Sequence, residues 1–442
     1  MHTLNSPVTH NRSVRHRQAP SSHAHKMPDL DALLDSILRE QSIRSLYQPI
    51  VEIESRRAVG YEALARGPSD SPLSAPNDLF AAARAADRVA DLDWACRGAA
   101  LEGALEAHFT EPLTLFVNVE PEALDQPVPA RLLETLSRVS SDLRIVIEIT
   151  ERALAARPAE LLRTAQRVRA RGWGIALDDV GADRHSLALM PFLRPDVVKL
   201  DLRLIQARPS TEIAEIVNAV NAEVERTGAV VLAEGVEDEG HLGTATAMGA
   251  TLAQGWMFGR PEPLPAPLSG GGPEIDLLSR GPHQYGGTPV EVLEGNRPLR
   301  RATKRHLLSV SRHLEDQAAG LGEATVLLSG FQTRERFAPS TRRRYGEIAK
   351  TAAFVGAFGV QMGDDPETGV RGAAVSDDDP MVDEWDVAVV APHFAALLAA
   401  RDLGDGGPDL DRRFEFAVTY DRDLVIEAAS ALMARMAPIL PV

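Results

Sequence analysis

Two patterns of hydrophobic and polar positions alternate along this chain from residue 45 to about 261. Short apolar runs of strand length are followed by longer segments whose apolar residues recur at helical spacing. The predicted strands are SLYQPIVEI, AVGYEALAR, TLFVNV, RIVIEI, GIALDD, VVKLD, AVVLAEG and TLAQGW. Strands that alternate with helices are typical of a parallel sheet. Eight of them predict a (β/α)8 barrel of the TIM type, preceded by a helix in MPDLDALLDSILRE.

The join between the first two predicted strands departs from this alternation. Only a turn in EIESRRA separates SLYQPIVEI from AVGYEALAR. Parallel neighbours need a crossover of about a dozen residues or more, whereas antiparallel neighbours can be joined by a short turn. We therefore expect a modified barrel in which one strand is antiparallel.

The rest of the chain divides into a linker and a second, smaller α/β or α+β domain. The stretch PEPLPAPLSGGGPEIDLLSRGPHQYGGTP is dense in proline and glycine, which is typical of linkers. The strands predicted after it lie in ATVLLSGF, DVAVVAP and RFEFAVTY, and the helices in KRHLLSVSRHLEDQAAG, TRRRYGEIAKTAAFVGAFG, HFAALLAARDLG and the last residues. The expected divisions are a disordered tail (1–27), the barrel (28–265), the linker (266–296) and the second domain (297–442).

Composition and charge narrow the choice of function. Hydrophobic residues make up 44% of the chain and charged residues 25%, as in ordinary globular proteins. The net charge of −16 opposes a general affinity for DNA or for anionic membrane. A single cysteine, Cys96, suits a reducing cytoplasm, and no apolar run is long enough to predict a membrane span.

Polar side chains recur at the carboxyl ends of the predicted barrel strands. In a parallel barrel these ends share one face, where active sites form. The residues are Glu62, Asn118, Glu148, Asp178, Asp179, Lys199, Glu234 and Gln254. Five carboxylates at one mouth would repel one another unless divalent cations offset their charge. Oxygen donors without a Cys or His cluster favour Mg²⁺ or Mn²⁺ over zinc.

The chemistry that this set suits best is hydrolysis of a phosphodiester. The adjacent Asp178 and Asp179 can each face one of two ions, the arrangement used for in-line displacement at phosphorus. Lys199 is then suited to steady the attacking water, and Arg66 to bind a phosphate oxygen. Taken singly, a carboxylate at a strand end is more often the N-cap of the next helix, and a lone lysine is often a surface residue. The joint occurrence at successive strand ends favours the metal-dependent hydrolase.

The ordered motifs YEALAR, VNVEP, IEITE, LDDVG, VKLD, AEGVE and QGWMFGRP resemble the bacterial EAL domain over about residues 28–265. That family is a cyclic di-GMP phosphodiesterase on a modified barrel with one antiparallel strand. The resemblance implies hydrolysis to linear pGpG with two Mg²⁺ or Mn²⁺ ions, in a homodimer. It also implies roles for individual positions. The metal ligands would be Glu62, Asn118, Glu148, Asp178, Asp179 and Glu234; the catalytic positions Lys199, Glu234, Gln254 and Glu237; and the substrate contacts Gln48, Leu64 and Arg66.

One loop departs from the family pattern. Where the family usually has DDFGxGYSSL, this chain has DDVGADRHSL, with Val180 in place of the phenylalanine and Asp183, Arg184 and His185 in place of Gly-Tyr-Ser. In the family this loop links metal binding to dimer contacts. The departure keeps a second hypothesis open, in which the barrel binds cyclic di-GMP without turnover and signals to a protein partner. A third reading is a different metal phosphodiesterase on the same barrel.

The C-terminal region resembles the DICT domain, a sensory module found beside cyclic di-GMP enzymes. The resemblance covers most of residues 297–442 and implies regulation of the barrel, but it names no ligand. Taken together, the sequence predicts a bacterial, cytoplasmic cyclic di-GMP phosphodiesterase modulated by its C-terminal domain.

Overall fold

The structure is a computed structural model of the chain. It describes residues 29–124, 126–150, 157–182, 186–266, 268, 271–277 and 286–436. The predicted disordered tail and the altered loop residues Asp183, Arg184 and His185 lie outside the described residues.

Eight strands close into a barrel in sequence order. They are β1 (Arg44–Glu52), β2 (Ala58–Arg66), β3 (Thr114–Val119), β4 (Arg144–Thr150), β5 (Gly174–Val180), β6 (Val197–Leu200), β7 (Val230–Ala233) and β8 (Leu252–Gln254). β1 pairs antiparallel with both β2 and β8, and the other neighbours are parallel. The predicted fold, including the single antiparallel strand and the tight first turn, is confirmed.

Helices follow the strands around the outside of the barrel. They are α1 (Leu30–Glu40), α2 (Pro76–Ala85), α3 (Val89–Glu106), α4 (Leu133–Asp142), α5 (Pro158–Ala170), α6 (Ser186–Leu193), α7 (Leu202–Gln206), α8 (Thr211–Thr227) and α9 (Glu239–Ala247). Local sequence sets their ends: the Ser210 hydroxyl caps α8, and Gly228 ends it at φ 76°, a left-handed conformation that glycine adopts without strain. None of the described helices is long and apolar enough to cross a membrane.

A layer of apolar side chains fills the barrel beneath its mouth. Its members are Ile50, Val59, Phe116, Val146, Ala176, Val197, Leu232, Leu252 and Ile275. Many lie two residues before a polar strand-end residue, as Val146 precedes Glu148 and Val197 precedes Lys199. Because side chains alternate along a strand, both members of such a pair point into the barrel, one layer apart. The period of two therefore sends the polar residues to the mouth.

The C-terminal region forms a seven-stranded mixed sheet in the order β12-β11-β10-β13-β14-β15-β9. The strands are β9 (Arg300–Thr303), β10 (Val326–Thr333), β11 (Phe354–Val360), β12 (Arg371–Ala374), β13 (Glu384–Ala391), β14 (Phe394–Asp402) and β15 (Arg413–Thr419). Its helices are α10 (Pro289–Glu294), α11 (Lys304–Gly320), α12 (Pro339–Ile348) and α13 (Arg422–Met433). The predicted smaller domain with a sheet is confirmed.

Two segments predicted as helical are strands. The predicted helix TRRRYGEIAKTAAFVGAFG ends as α12 at Ile348, and FVGAFGV is β11; the predicted helix HFAALLAARDLG is β14. Both strands are buried on both faces, so their apolar runs show no alternation and look like buried helices. Pairing of β14 with β13 and β15 decides its conformation against the helix propensity of its alanines and leucines.

The sheet domain packs directly on the barrel. Helix α13 contacts α5 and α6, and β13 also contacts α6. The apolar side chains form one continuous cluster, with Leu189 and Phe192 of α6 on one side and Ile426 and Met433 of α13 on the other. Asp423 adds ion pairs to Arg226 at 3.1 Å and Arg194 at 3.7 Å.

Part of the segment 266–296 is structured against both units. Arg144 of β4 donates to the Ile275 carbonyl oxygen at 2.5 Å, and buried Ile275 belongs to the apolar layer of the barrel. Farther along, Val290 and Leu293 of α10 are fully buried, and α10 packs on α13 and β14. The proline and glycine content of this segment is therefore compatible with fixed contacts.

Candidate active site

Four carboxylates surround the ammonium group of Lys199 at the mouth of the barrel. Lys199 Nζ lies 2.7 Å from Glu148, 2.9 Å from Glu234, 3.0 Å from Asp178 and 3.7 Å from Glu62. These side chains come from β6, β4, the residue after β7, β5 and β2. The structure thus brings together the strand-end residues that the sequence predicted would meet, with the lysine inside the group.

Burial makes it costly to keep the charges of Lys199 and its carboxylate neighbours away from water. Lys199 is 0% exposed and Glu148 1% exposed. Burial alone would lower the pKa of Lys199, but attraction to the surrounding carboxylates, Asp178 first, raises its pKa well above the ordinary value. Lys199 is therefore firmly protonated and neutralises part of the negative charge at the mouth.

The carboxylates respond to the same environment in different ways. Burial and the neighbouring Glu62 raise the pKa of Glu148 well above its usual range, against the attraction of Lys199. Burial also raises the pKa of Glu234 to about 8, with Asp178 adding to the shift. Burial opposes ionisation of Glu62 too, yet Lys199 and hydrogen bonds from Gln254 and Asn118 bring its pKa below the ordinary value. Negative charge is crowded here, as at a site that binds cations.

Amide side chains hold Glu62 in place. Gln254 Nε2 donates to Glu62 Oε2 at 2.6 Å, and Asn118 Nδ2 donates to Glu62 Oε1 at 3.0 Å. Gln254 also donates to Gln48 Oε1 at 3.2 Å, and Gln48 donates to the Gly259 carbonyl oxygen at 3.0 Å. This network joins β1, β2, β3 and β8 across the hairpin, so its geometry depends on the antiparallel strand.

An irregularity in β5 directs two consecutive carboxylates to the same place. Alternation would send Asp178 and Asp179 to opposite faces. The pairing of β5 with β6 shifts between Leu177 and Val180, and Asp179 has φ 58°. A bulge of this kind redirects a side chain, and a left-handed residue other than glycine is common at functional sites.

The donor set fits a divalent cation. Oxygen atoms of Asp178, Asp179 and Glu234 lie within 4.8 Å of one another. Glu148 Oε2 is buried and accepts no hydrogen bond from any residue that the structure describes. Carboxylate oxygens near an amide are the ligands of Mg²⁺ and Mn²⁺, and a buried carboxylate oxygen without a donor is suited to a positive charge.

A cavity of about 970 Å³ opens beside these residues. Its lining includes two of the predicted metal ligands, Asn118 and Asp179, and one predicted substrate contact, Leu64. Its volume lies at the upper end of the range for sites that bind small ligands, about 300–1,000 Å³. A ligand in the cavity would therefore reach the carboxylates at the strand ends.

Two further predicted residues, Arg66 and Glu237, lie outside the group of carboxylates around Lys199. Arg66 ends β2, where its Nη1 donates to the Ala65 carbonyl oxygen at 2.8 Å, and burial lowers its pKa. Glu237 is exposed, and its backbone N–H donates to His241 Nδ1 at 3.3 Å. The loop that Glu237 is expected to hold lies partly outside the described residues, so that role stays a prediction.

Six charged residues that line the cavity were not predicted from the strand pattern. They are Arg84, Asp93, Arg97, Glu120, Glu122 and Arg157. Glu120 had a usable signal, because it lies two residues after Asn118 and alternation sends both toward the mouth. The others lie on helices or loops, where the strand pattern gives no indication of direction.

Comparisons with known proteins agree with this architecture. The model of the EAL domain family matches residues 30–261, and the model of DICT, described as a sensory domain in diguanylate cyclases and two-component systems, matches residues 290–403.

Among curated relatives, an uncharacterized protein of Azorhizobium caulinodans is 32% identical over 260 residues, covering 55% of this chain and 34% of that protein. The cyclic di-GMP phosphodiesterase RocR of Pseudomonas aeruginosa is 28% identical over 249 residues, covering 54% of this chain and 62% of RocR. This chain thus spans less than two thirds of the length of either relative. A solved structure, the manganese and cyclic di-GMP complex of BlrP1 from Klebsiella pneumoniae, is 29% identical with a TM-score of 0.44, covering 50% of this chain and 56% of that one.

Proposed function

We propose that this chain, which belongs to the EAL domain family, hydrolyses cyclic di-GMP to linear pGpG with the help of divalent cations. The observation that carries the proposal is the group of four carboxylates around buried Lys199, next to a cavity large enough for a small ligand. RocR, a relative over the barrel, is named a cyclic di-GMP phosphodiesterase, which supports the choice of substrate.

The cations would be Mg²⁺ or Mn²⁺. The residues proposed to hold them are Glu62, Asn118, Glu148, Asp178, Asp179 and Glu234. When bound, two such ions supply positive charge to a phosphodiester and lower the pKa of water.

The side chains of the chain do the positioning. Lys199 keeps its proton at Nζ and would donate a hydrogen bond to the attacking water or to a phosphate oxygen. Gln254 and Gln48 hold Glu62 from the side of β8 and β1, and they would fix the direction of its carboxylate. Arg66, at the end of β2, would donate to a phosphate, and Leu64 would contact the nucleotide in the cavity.

We also propose that the C-terminal domain regulates this activity through α6. This helix begins at residue 186, shortly after Asp178 and Asp179, and its apolar side chains pack on α13 and β13. A movement of the sheet domain would therefore shift the segment that carries two proposed metal ligands. The homodimer and the protein partner expected from the sequence stay predictions.

The test is to incubate the purified full-length chain with cyclic di-GMP and Mg²⁺ or Mn²⁺ and to follow pGpG by chromatography. We expect pGpG to form with metal, to be absent with EDTA, and to be absent for Glu62→Ala. Glu225→Ala, an exposed residue of α8, is the matched control and should retain the wild-type rate. Calorimetric binding of cyclic di-GMP without any pGpG would contradict hydrolysis and favour a receptor.

A further inference from the structure

An ion pair on the rim of the mouth cavity has no role in the proposed hydrolysis. Arg84 of α2 donates through Nη2 to Glu120 Oε2 at 2.6 Å and through Nε to Glu122 Oε1 at 3.4 Å. All three residues line the cavity that Asn118 and Asp179 also line. A ligand held at the strand ends would therefore extend toward this charged group.

The backbone of Glu120 is fixed by a buried acid. Asp93 of α3 is 2% exposed and accepts a hydrogen bond from the Glu120 backbone N–H at 2.9 Å. Arg97 pairs with Asp93, and its guanidinium lies 3.6 Å from the centroid of the Trp94 ring. Because Asp93 and Arg97 are held in this way, the position of Glu120 is set before a ligand binds, which reduces the entropy lost on binding.

An aromatic ring completes the group. Phe80 lines the same cavity, and the Arg84 guanidinium lies 5.9 Å from the centroid of its ring. Proteins bind unpaired bases by stacking them on aromatic or guanidinium planes and by hydrogen bonds to the base edges. The Arg84 guanidinium, the Glu120 carboxylate and the Phe80 ring line the same cavity and provide both kinds of contact.

We propose that Arg84 and Glu120 recognise a guanine base of the bound nucleotide, an inference that rests on the proposed function. The Glu120 carboxylate accepts hydrogen bonds from guanine N1–H and from its exocyclic N2 amino group. Arg84 donates to guanine O6 and N7, the pair of acceptors that arginine binds most often. Adenine has an acceptor at N1 and a donor at N6, so the same two side chains disfavour it.

The experiment compares Arg84→Met and Glu120→Gln with the wild-type full-length chain. Steady-state kinetics with Mn²⁺ and calorimetric dissociation constants are measured for cyclic di-GMP and for cyclic di-IMP, which lacks the N2 amino group. Arg88→Met is the matched control, because Arg88 forms surface ion pairs with Asp35 and Asp91 and lies outside the cavity lining.

For Arg84→Met we expect KM and Kd for cyclic di-GMP to rise about tenfold, with the effect on KM rather than on kcat. The wild-type chain should prefer cyclic di-GMP to cyclic di-IMP by about tenfold in Kd. For Glu120→Gln we expect the two nucleotides to bind about equally well. A purely structural ion pair would leave that preference unchanged.

The outcomes separate this inference from the proposed function. If the wild-type chain hydrolyses cyclic di-GMP and both variants keep its KM and its preference, base recognition by Arg84 and Glu120 is overturned while hydrolysis stands. If the wild-type chain neither binds nor hydrolyses cyclic di-GMP, the proposed function fails and the guanine site fails with it.

Discussion

The barrel and the C-terminal sheet both bury carboxylates, but the groups in contact with these carboxylates differ. At the barrel mouth, Glu148 is 1% exposed and lies 2.7 Å from Lys199 Nζ. In the C-terminal sheet, Asp386 of β13 is 0% exposed, and the Ala400 backbone N–H, rather than a cation, interacts with its carboxyl group. Both groups are far from water, yet only the first lies in direct contact with a cation.

A second buried carboxyl, Glu384, lies close to Asp386 on β13. Glu384, also 0% exposed, accepts hydrogen bonds from Thr288 Oγ1 at 2.5 Å and from the Val290 backbone N–H at 3.1 Å. Burial raises the pKa of Glu384 to about 7, and burial together with Glu384 raises the pKa of Asp386 well above its usual range. Burial raises the pKa of carboxyls in both clusters, including Glu148 and Glu234 at the mouth. The difference between the two clusters is that the carboxyls of the mouth surround a lysine and lie beside a cavity.

This difference indicates which cluster is for chemistry. A buried carboxyl inside a sheet can be tolerated when it is neutral or hydrogen-bonded. Several carboxyl groups gathered around one ammonium at a cavity place more acids than bases where a cation can reach them. The comparison leads to four predictions.

The largest expected effect is on catalysis at the mouth. Glu148→Gln should lower kcat for cyclic di-GMP by about a hundredfold or more, because it removes a carboxylate proposed to hold a divalent cation at the reacting phosphodiester. Asp386→Asn, the matched change in the sheet, should leave kcat within about twofold. Initial rates of pGpG formation measure both, and an equal loss in the two variants would remove the distinction between the clusters.

Lys199→Met should destabilise the metal-free protein strongly. Removing the ammonium leaves buried carboxylates without their partner, which typically costs about 3–5 kcal/mol in the free energy of unfolding. Lys304→Met, which removes the ion pair of Lys304 with surface residue Asp409, should cost less than about 1 kcal/mol. Urea unfolding in EDTA measures both changes. A loss below 1 kcal/mol for Lys199→Met would mean that the carboxylates do not depend on it.

Glu384 should contribute to the pH dependence of the stability of the sheet. Its pKa is near 7 in the folded protein and about 4.5 when unfolded, so the folded state binds more protons between those values. The contribution to stability is therefore complete below about pH 4.5 and is lost as the pH rises through 7.

Glu384→Gln should flatten this decline by about 2 kcal/mol between pH 5 and 8. Glu415→Gln, which changes a carboxylate paired with Arg301 at the surface, should retain the wild-type slope. The free energy of unfolding at a series of pH values measures the slope, and an unchanged slope in Glu384→Gln would exclude this carboxyl as a contributor to it.

The smallest effect concerns the contact between the units. Asp423→Arg replaces two interdomain ion pairs with like charges and should weaken docking of α13 by about 1 kcal/mol or less, since the pairs are exposed. If α6 transmits the state of the sheet domain, the Mn²⁺ concentration for half-maximal activity should shift severalfold. Asp411→Arg, whose partner Arg305 lies within the sheet domain, is the control. Equal metal dependence in the two variants would contradict regulation through α6.

The barrel strands were easier to predict from the sequence than the strands of the sheet, because polar residues mark them. The barrel strands carry polar residues such as Lys199 and Gln254 toward their carboxyl ends, and these residues mark both the strand and its direction. Strand β11 is apolar throughout, and β14 is apolar from Phe394 to Ala400. Both runs are buried on both faces, so nothing in their pattern separates them from a buried helix.

The candidate site was predictable in part. Alternation along parallel strands was enough to gather Glu148, Asp178 and Lys199 at one mouth. The bulge that turns Asp179 toward Asp178 depends on the register of β5 against β6, which no local pattern specifies. Likewise, the contact of Arg84 with Glu120 joins a helix to a strand end, and only the folded chain brings them together.

Binding of Mn²⁺ to the purified chain, measured by calorimetry without nucleotide, tests the central claim most directly. The account predicts saturable binding of about two ions per chain, with at least one lost in Glu148→Gln and none lost in Glu384→Gln. Absence of saturable binding to the wild-type chain, or equal binding in all three proteins, would contradict the assignment of the barrel mouth as a divalent-cation site.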